Sequence, residues 1–166
     1  INFAKNFTSK TFGLVEEGRK INETMPFHTV DLLKDAFNEA HKSLHDSSVL
    51  ILGASYKPDV KDLQISPVEK IVEILKDNGI KISIYDPYYK NSEIFGIASS
   101  DNLISSIEKS DAIIIATAHK EFHDLEPSFL KSKMQTSIVI DSKCIIDQYE
   151  AKKAGLIYRG IGRGKI

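Results

Sequence analysis

An aromatic residue and a lysine stand side by side in a loop that follows a short apolar run. Tyr56 and Lys57 come after the run 49–52, and Ser66-Pro67 beyond them is typical of the capped start of a helix. An ammonium group can pair with a diphosphate, and an aromatic ring can stack on a base. The loop therefore predicts contact with a nucleotide, with an ordinary solvated surface loop as the alternative.

The turn after the apolar run does not suit a dinucleotide. Gly53 stands alone where the dinucleotide fingerprint has three glycines, so a pyrophosphate could not approach the following helix in the usual way. We therefore do not expect NAD to bind this part of the chain by itself. A UDP-sugar carries both a diphosphate and a base, and it satisfies what Tyr56 and Lys57 offer.

Alternating strands and helices must position this loop. Five short runs predict strands, and the first four are continuously apolar or β-branched, as buried parallel strands are. The predicted strands are 49–52, 80–85, 112–116, 137–140 and 156–159, and the predicted helices are 68–78, 102–109 after a cap at Asp101, 127–133 and 147–153. This alternation predicts an α/β fold with a doubly wound parallel sheet, whose strand ends gather on one rim.

A long helix is predicted before the first strand. Apolar residues recur at mostly helical spacing from residue 9 to residue 46. We expect Pro26 to bend or break this helix, because proline removes a backbone donor. A helix of about 35 residues would be about 50 Å long, which is longer than a small domain is wide. Part of it must therefore pack on something else.

Composition and charge limit the possible partners. With 166 residues, 42% hydrophobic content and a formal charge of −1, the chain suffices for one well-buried domain and an accessory element. Its balanced charge gives no reason to expect nucleic acid or a membrane surface as a partner. No apolar run reaches the roughly 18 residues of a membrane span, and the N-terminus lacks a signal-peptide pattern. Cytoplasmic residence is the default expectation.

Cysteine usage and the first residue add two expectations. The single cysteine, Cys144, excludes an internal disulfide, and without a second thiol it offers no CxxC metal or redox site. We therefore predict no metal site. The chain starts at Ile1 rather than at methionine, so we expect a fragment or a processed product.

Four segments together resemble the UDP-glucose/GDP-mannose dehydrogenase family. The segment 53–67 is similar to the signature of the family's C-terminal domain, which has a glycine, an aromatic-lysine pair and an acidic stretch ending in Ser-Pro. The segments 85–87, 140–143 and 19–26 resemble three further family motifs, so the resemblance spans nearly the whole chain. It implies a Rossmann-like, UDP-sugar-binding C-terminal domain at 47–166, preceded at 1–46 by the end of a central dimerisation domain.

The resemblance also implies which residues bind. In the family the C-terminal domain holds the UDP part of the substrate, and an N-terminal domain holds the NAD. Tyr56, Lys57 and Lys143 match substrate-binding positions, and Asn22 is a candidate contact to the sugar, with a plain helix-surface amide as the alternative. Many family members have an arginine at the position of Gln64, and that arginine is often assigned to contact with the cofactor. Gln64 is therefore a doubtful candidate to contact NAD in its place.

The chemistry implied by the resemblance needs residues that this chain does not contain. Family members oxidise the sugar C6 hydroxyl to a carboxylate in two steps with two NAD molecules, through a cysteine that captures the aldehyde. That cysteine lies in a Gly-x-Cys-x-x-Lys-Asp motif, which is absent here, and Cys144 has neither the motif nor its position. We therefore predict no catalytic residue in this chain, which should bind but not oxidise.

The segment after the third predicted strand bears on the substrate. His119-Lys120-Glu121-Phe122 resembles the family branch that oxidises UDP-N-acetylhexosamines, whereas UDP-glucose enzymes usually have tryptophan at the position of His119. UDP-N-acetylmannosamine is the predicted substrate and UDP-glucose the runner-up. His119 itself is interpreted as a structural hydrogen-bonding residue and a marker of the branch. A non-catalytic nucleotide-binding or dimerisation module is the alternative of a different class.

The long helix has two interpretations, an interdomain strut and the core of a dimer. The resemblance favours the dimer, because the corresponding helix in the family links two domains and forms most of the subunit contact. The predicted exposed apolar stripe, which would require a partner, consists of Phe12, Val15, Leu33 and Phe37.

Overall fold

The computed structural model describes residues 13–163. Its helices are α1 (Gly13–Glu39), α2 (Pro67–Asp77), α3 (Leu103–Glu108), α4 (Pro127–Lys133) and α5 (Gln148–Lys153), with a 3₁₀ helix at Lys120–Asp124. Its strands are β1 (Ser48–Leu52), β2 (Lys81–Tyr85), β3 (Glu93–Ile94), β4 (Ile97–Ser100), β5 (Ala112–Ile115), β6 (Ile138–Asp141) and β7 (Ile157–Gly160).

The seven strands form one sheet in the order β3-β4-β2-β1-β5-β6-β7. All neighbours pair in parallel except β3 and β4, which form an antiparallel hairpin at one edge. From the central β1 the chain moves outward through β2 and β4, and then through β5, β6 and β7 on the other side. This is the order of a doubly wound Rossmann-like sheet, so the predicted fold class is confirmed. The direction of winding changes between β1 and β5, and ligands bind at this switch point in such sheets.

Helices cover both faces of the sheet. Alternate strand residues point to opposite faces, so Val49 and Ile51 pack in one core with α1 and α2, whereas Leu50 and Leu52 pack in another with α4 and α5. Every residue of β5 and β6 is buried. Burial on both faces explains why these strands are continuously apolar rather than alternating.

The C-terminal half of α1 belongs to the first of these cores. Val30, Leu33 and Phe37 are almost completely buried against α2 and the β6–β7 side of the sheet. The prediction that Leu33 and Phe37 lie in an exposed stripe is therefore wrong, because the sheet of the same chain covers that face. Val15 is exposed, and Phe12 lies outside the described residues.

α1 continues through Pro26 and ends at Glu39, earlier than predicted. The helix is not broken at Pro26, whose side chain is buried on the face that packs toward α2. Proline still lacks the N–H that would bond to the carbonyl of Asn22. The carbonyl of Asn22 therefore loses its usual helical donor in the middle of a long helix.

Two short elements were not predicted. The β3–β4 hairpin consists of strands of two and four residues at the sheet edge, too short and too polar to give a strand pattern. The 3₁₀ helix at Lys120–Asp124 was also missed. The cap of α3 is Asn102 rather than the predicted Asp101, because the Asn102 side chain accepts a hydrogen bond from the Ser105 amide at 2.9 Å. Among residues 13–163, no helix is both long and apolar enough to cross a membrane.

A buried arginine on the edge strand β7 binds the C-terminal part of α1 to the sheet. The Arg159 side chain on β7 is 5% exposed and donates to Asp35 Oδ2 from Nε at 3.1 Å and from Nη2 at 3.0 Å. Nη2 also contacts Glu39 Oε2 at 2.5 Å. Burial lowers the pKa of Arg159, but the hydrogen bonds to Glu39 and Asp35 outweigh that effect and raise the pKa above its ordinary value. The guanidinium therefore stays charged and holds the last turns of α1 on the sheet.

We expect Arg159→Met to lower the free energy of unfolding by about 2 kcal/mol, between the values for exposed and buried ion pairs. The reason is that Asp35 and Glu39 lose the cation that neutralises them. Urea denaturation measures the change. The matched control is Arg19→Met, which removes an exposed pair with Glu23 on the same helix and should cost under about 0.5 kcal/mol. Equal losses in the two variants would contradict the assigned role of Arg159.

Candidate functional site

The loops after β1 and β5 touch each other at the switch point. Gly53 has φ +81° at the end of β1, and a Cβ built on it would lie 2.5 Å from the Cβ of Thr117. The hydroxyl of Thr117 donates to the carbonyl of Ser55 at 2.6 Å. Only glycine allows this approach, because a side chain at Gly53 would clash and would also be strained at positive φ. The two loops therefore form one unit.

A buried carboxylate organises the start of the β1–α2 loop. Asp86, at the end of β2, is fully buried, and its Oδ2 accepts from the amides of Ala54 at 2.8 Å and Ser55 at 3.1 Å. The same oxygen contacts His119 Nε2 at 3.2 Å, and Oδ1 accepts from the amide of Tyr88 at 2.9 Å. Burial alone would raise the pKa of Asp86, but the hydrogen bonds from His119, Ala54 and Tyr88 outweigh it and lower the pKa to about 2. Asp86 is therefore ionised near neutral pH.

His119 connects this carboxylate to the far end of the same loop. Its side chain is fully buried, and its Nδ1 accepts a hydrogen bond from the Asp59 amide at 2.9 Å. An accepting Nδ1 carries no proton, so the proton lies on Nε2 and is donated to Asp86. The ring is packed against those of Tyr88 and Phe122, with centroids 5.3 Å and 5.5 Å away. His119 is therefore a buried residue whose two ring nitrogens are both hydrogen-bonded.

Tyr56 and Lys57 lie between these two attachment points and face solvent. Tyr56 is 50% exposed, and its amide donates to the carbonyl of Asp62 at 2.8 Å, which closes the loop. The Nζ of Lys57, which is also exposed, lies 5.9 Å from the centre of the Tyr56 ring. The pair therefore presents a ring and a cation together, on a loop whose two ends are fixed.

A cleft of about 170 Å³ lies between α1, the start of α2 and the β6–α5 loop. Two of the residues predicted to bind substrate, Asn22 on α1 and Lys143 after β6, both line it. Tyr56, Lys57 and Gln64 do not. The remaining lining residues are mostly apolar: Met25, Pro26, Thr29, Pro67, Val68, Ile71, Ala116, Ser142 and Ile161. The structure thus brings together two residues that are more than a hundred positions apart in the sequence.

The cleft continues along the groove between α1 and α2. A second depression of about 290 Å³ shares Asn22, Pro26 and Pro67 with it, and adds the exposed side chains of Phe27 and Ile65. The two depressions therefore adjoin along one groove, in which Ser142 and Lys143 lie at one end, Asn22 lies where the depressions meet, and Glu23 and Lys70 accompany the apolar side chains at the other end.

The polar end of the groove rests on a second buried carboxylate. Asp141 is fully buried, and its Oδ1 accepts from the amide of Lys143 at 3.0 Å. Its Oδ2 accepts from the amide of Ile146 at 2.9 Å and from the hydroxyl of Tyr158 at 3.2 Å. Burial, followed by the nearby Asp141 charge, raises the pKa of Tyr158, so its hydroxyl keeps the proton. The backbone that carries Lys143 is thereby held in place.

The hydroxyl of Ser142 is buried at this end of the groove without a hydrogen-bond partner among the residues that the structure describes. An unpaired buried hydroxyl is unfavourable and rare. Ser142 is the residue between Asp141 and Lys143, and no pattern in the sequence marks its hydroxyl. Within residues 13–163, the Ser142 hydroxyl is therefore left without a hydrogen bond beside Lys143.

The N-terminus of α2 does not fit the pyrophosphate of NAD. The hydroxyl of Ser66 accepts from the amide of Val68 at 3.3 Å and donates to the carbonyl of Ala54 at 2.7 Å, while Pro67 has no N–H. An acidic residue, Glu69, lies in the first turn. The Val68 amide is thus already bonded to the Ser66 hydroxyl, and Pro67 offers no donor at this helix end. Gln64 is exposed outside the cleft, and its amide donates to Asp62 Oδ1 at 2.9 Å.

Comparison with known proteins gives consistent results. A model of the UDP-glucose/GDP-mannose dehydrogenase family, UDP binding domain, matches residues 50–148. The UDP-N-acetyl-D-mannosamine dehydrogenase of Pyrococcus horikoshii is 35% identical over 93% of this chain and 35% of that protein. A solved structure of UDP-D-ManNAc dehydrogenase from Pyrococcus horikoshii has a TM-score of 0.84 and 34% identity over 96% of this chain and 36% of that chain.

A further relative has a different substrate in its name. The UDP-glucose 6-dehydrogenase of Rhizobium meliloti is 32% identical over 72% of this chain and 28% of that protein. In each of these matches the chain spans about a third of the relative's length.

Because its hydroxyl is buried and unpaired, Ser142 should destabilise the free chain. We expect Ser142→Ala to raise the free energy of unfolding by about 1 kcal/mol, measured by urea denaturation without ligand. Ser110→Ala is the control, since the buried Ser110 hydroxyl donates to the carbonyl of Ile107 at 2.8 Å and its removal should lower stability by about 1 kcal/mol. A loss of stability in Ser142→Ala would show that the hydroxyl is satisfied.

Proposed function

Because this chain belongs to the UDP-glucose/GDP-mannose dehydrogenase family, we propose that it is the UDP-binding part of an NAD-dependent nucleotide-sugar 6-dehydrogenase. The observation that carries the proposal is the shared cleft of Asn22 and Lys143, which opens beside the unpaired hydroxyl of Ser142. A cation, an amide and a hydroxyl that line one mostly apolar cleft suit a sugar diphosphate.

The ligand would span the rim of the sheet. Lys143 and Lys57 supply two ammonium groups on loops that follow β6 and β1, and a diphosphate can pair with both. The exposed ring of Tyr56 offers a surface on which a base can stack. Asn22 would reach the sugar from α1. A nucleotide-sugar is extended, so it can contact the Tyr56-Lys57 loop and the cleft at the same time.

UDP-N-acetylmannosamine is the substrate that we propose for the complete protein. The relative from Pyrococcus horikoshii acts on that sugar nucleotide by its name, and the His119-to-Phe122 segment resembles the same branch. UDP-glucose is the second candidate substrate, because it is the sugar nucleotide in the name of the relative from Rhizobium meliloti. His119 is buried and 3.2 Å from Asp86, so its link to substrate choice is indirect.

The oxidation itself would use groups outside this chain's cleft. We propose that the complete protein oxidises the C6 hydroxyl of the sugar to a carboxylate, with NAD held by another part of the protein. Cys144 is half-buried in the β6–α5 loop, with its Sγ 3.5 Å from the carbonyl of Ile161, and is not among the residues that line the cleft. This chain would therefore contribute binding and leave the redox chemistry to the remainder. Cytoplasmic location and a role in polysaccharide biosynthesis belong to the same proposal.

We also propose that the N-terminal half of α1 forms a homodimer contact. Leu14 is 89% exposed, Val15 56% and Ile21 57%. Leu14, Ile21 and Met25 follow one another at intervals of seven and four residues, and the buried Thr29 comes four residues after Met25. The exposed side chains therefore lie on the same side of the helix as the later residues that pack on the sheet. A second copy of the helix would cover this surface.

The binding proposal predicts how UDP affinity depends on the two lysines. In calorimetric titration we expect this chain to bind UDP and UDP-N-acetylglucosamine but not NAD, and Lys57→Ala and Lys143→Ala each to weaken UDP binding about tenfold, the value of one charge-assisted contact. Lys152→Ala, an exposed lysine in the last turn of α5, is the control and should leave affinity unchanged. NAD binding without UDP binding, or no binding at all, would contradict the proposal.

The dimer proposal predicts the effect of charges on α1. In sedimentation velocity we expect the unsubstituted chain to be a dimer and the double variant Leu14→Asp with Ile21→Asp to be a monomer, because two carboxylates would be buried in the contact. Ile104→Asp is the control, since Ile104 is 52% exposed on α3, away from α1. A monomer without any substitution would contradict the proposal.

A further inference from the structure

We propose that His119 is a positioning residue for the nucleotide, which it does not touch. It would act by fixing Asp59 from across the switch point and thereby setting the Tyr56-Lys57 pair. This inference rests on the proposed nucleotide-binding role of that pair, and it adds a residue that no resemblance assigns to binding.

The Tyr56-Lys57 pair lies between two attachment points of the loop. Its start is held by Asp86, which accepts from the amides of Ala54 and Ser55. Its far end is held at Asp59, whose amide donates to His119 at 2.9 Å. Between these points lie only Tyr56, Lys57 and Pro58. The exposed pair thus lies between two fixed backbone positions, and the Tyr56 amide is bonded to the carbonyl of Asp62 at 2.8 Å, so losing the Asp59 bond would leave Lys57 held on the Tyr56 side only.

Asp59 needs this support because of its conformation. It has φ +58°, in the left-handed region, which is uncommon for residues other than glycine although aspartate adopts it more readily than most. Its backbone amide is bonded to His119, and its Oδ1 accepts from the amide of Lys120 at 3.0 Å. His119 and Lys120, two consecutive residues after β5, thus both form hydrogen bonds with Asp59. Redundant contacts of this kind are expected where a residue is held in an unfavourable backbone conformation.

Burial decides how His119 acts. The side chain has no exposed surface, so a ligand on the rim cannot reach it. Its two nitrogens have opposite roles, one accepting from Asp59 and the other donating to Asp86. A single rigid ring thus joins both ends of the loop to each other, and its influence on a ligand must pass through the backbone of residues 54–59.

The two roles of His119 can be removed separately. In His119→Asn the side-chain oxygen takes the place of Nδ1 and can still accept from the Asp59 amide, while the donor to Asp86 is lost. In His119→Gln the side-chain amide takes the place of Nε2 and can still donate to Asp86, while the acceptor for Asp59 is lost. A merely structural role predicts the same effect from both variants, and a positioning role predicts a difference.

The experiment measures three quantities on each variant: the melting temperature, the hydrogen exchange of the Asp59 amide without ligand, and the affinity for UDP by calorimetry. We expect both variants to melt below the unsubstituted chain. The Asp59 amide should remain protected in His119→Asn and exchange fast in His119→Gln. UDP affinity should then change little in His119→Asn and fall about tenfold in His119→Gln, because the pair must be ordered again on binding.

The other possible outcomes contradict either the positioning role of His119 or the proposed function. Equal UDP affinities in the two variants, whether both lowered or both unchanged, would overturn the positioning role, as would a protected Asp59 amide in His119→Gln. If the unsubstituted chain binds no UDP, the proposed function falls and this inference falls with it. The exchange of the Asp59 amide, which needs no ligand, separates that case from a failure of the inference alone.

Discussion

The ionised carboxylate of Asp86, buried at the end of β2, is the interaction on which the rim of this sheet depends. A charge without solvent must be compensated by hydrogen bonds, and here the donors come from the loops after β1 and β5 and from the turn after β2. Meeting that requirement fixes the positions of all three segments at once. Asp141 repeats the arrangement at the end of β6, three strands away from β2 in the sheet, where it holds the backbone of Lys143. The two lysines proposed to bind the ligand are thus presented by loops that buried aspartate side chains organise.

The second constraint is that a doubly wound sheet needs helices on both faces. α2 covers β1 and β2, and the C-terminal half of α1 covers β6 and β7, which explains why Leu33 and Phe37 are inside. The cleft lies beside this packing, between α1 near Pro26, the start of α2 at Pro67 and the loop after β6. One helix therefore completes the core with one half and borders the candidate site with the other.

Much of the fold was predictable from the sequence, since continuous apolar runs such as 49–52 and a capped start at Ser66-Pro67 depend on local rules. The β3–β4 hairpin was not, because two residues at a sheet edge carry no periodic signal. Helical spacing shows that Val15 and Leu33 share one side of α1 but not what covers that side, which is why the stripe was assigned wrongly. For the site, Lys57 and Lys143 stood out by type and motif, whereas the burial of Ser142 and the bond of His119 to Asp59 depend on long-range packing.

The bond between Asp59 and His119 also has a consequence for the order in which the chain folds. The two residues are 60 positions apart, so the loop after β1 cannot take its final shape until β5 has been synthesised and has paired with β1. Bringing two residues so far apart in the sequence into contact lowers the conformational entropy of the chain before the hydrogen bond can form. Contacts between residues distant in sequence therefore slow folding. β1, β2 and α2 can associate earlier on the ribosome, while the Tyr56-Lys57 segment stays unformed. The final arrangement of the Tyr56-Lys57 segment is thus expected late in folding, after the half-sheet that carries it has become compact.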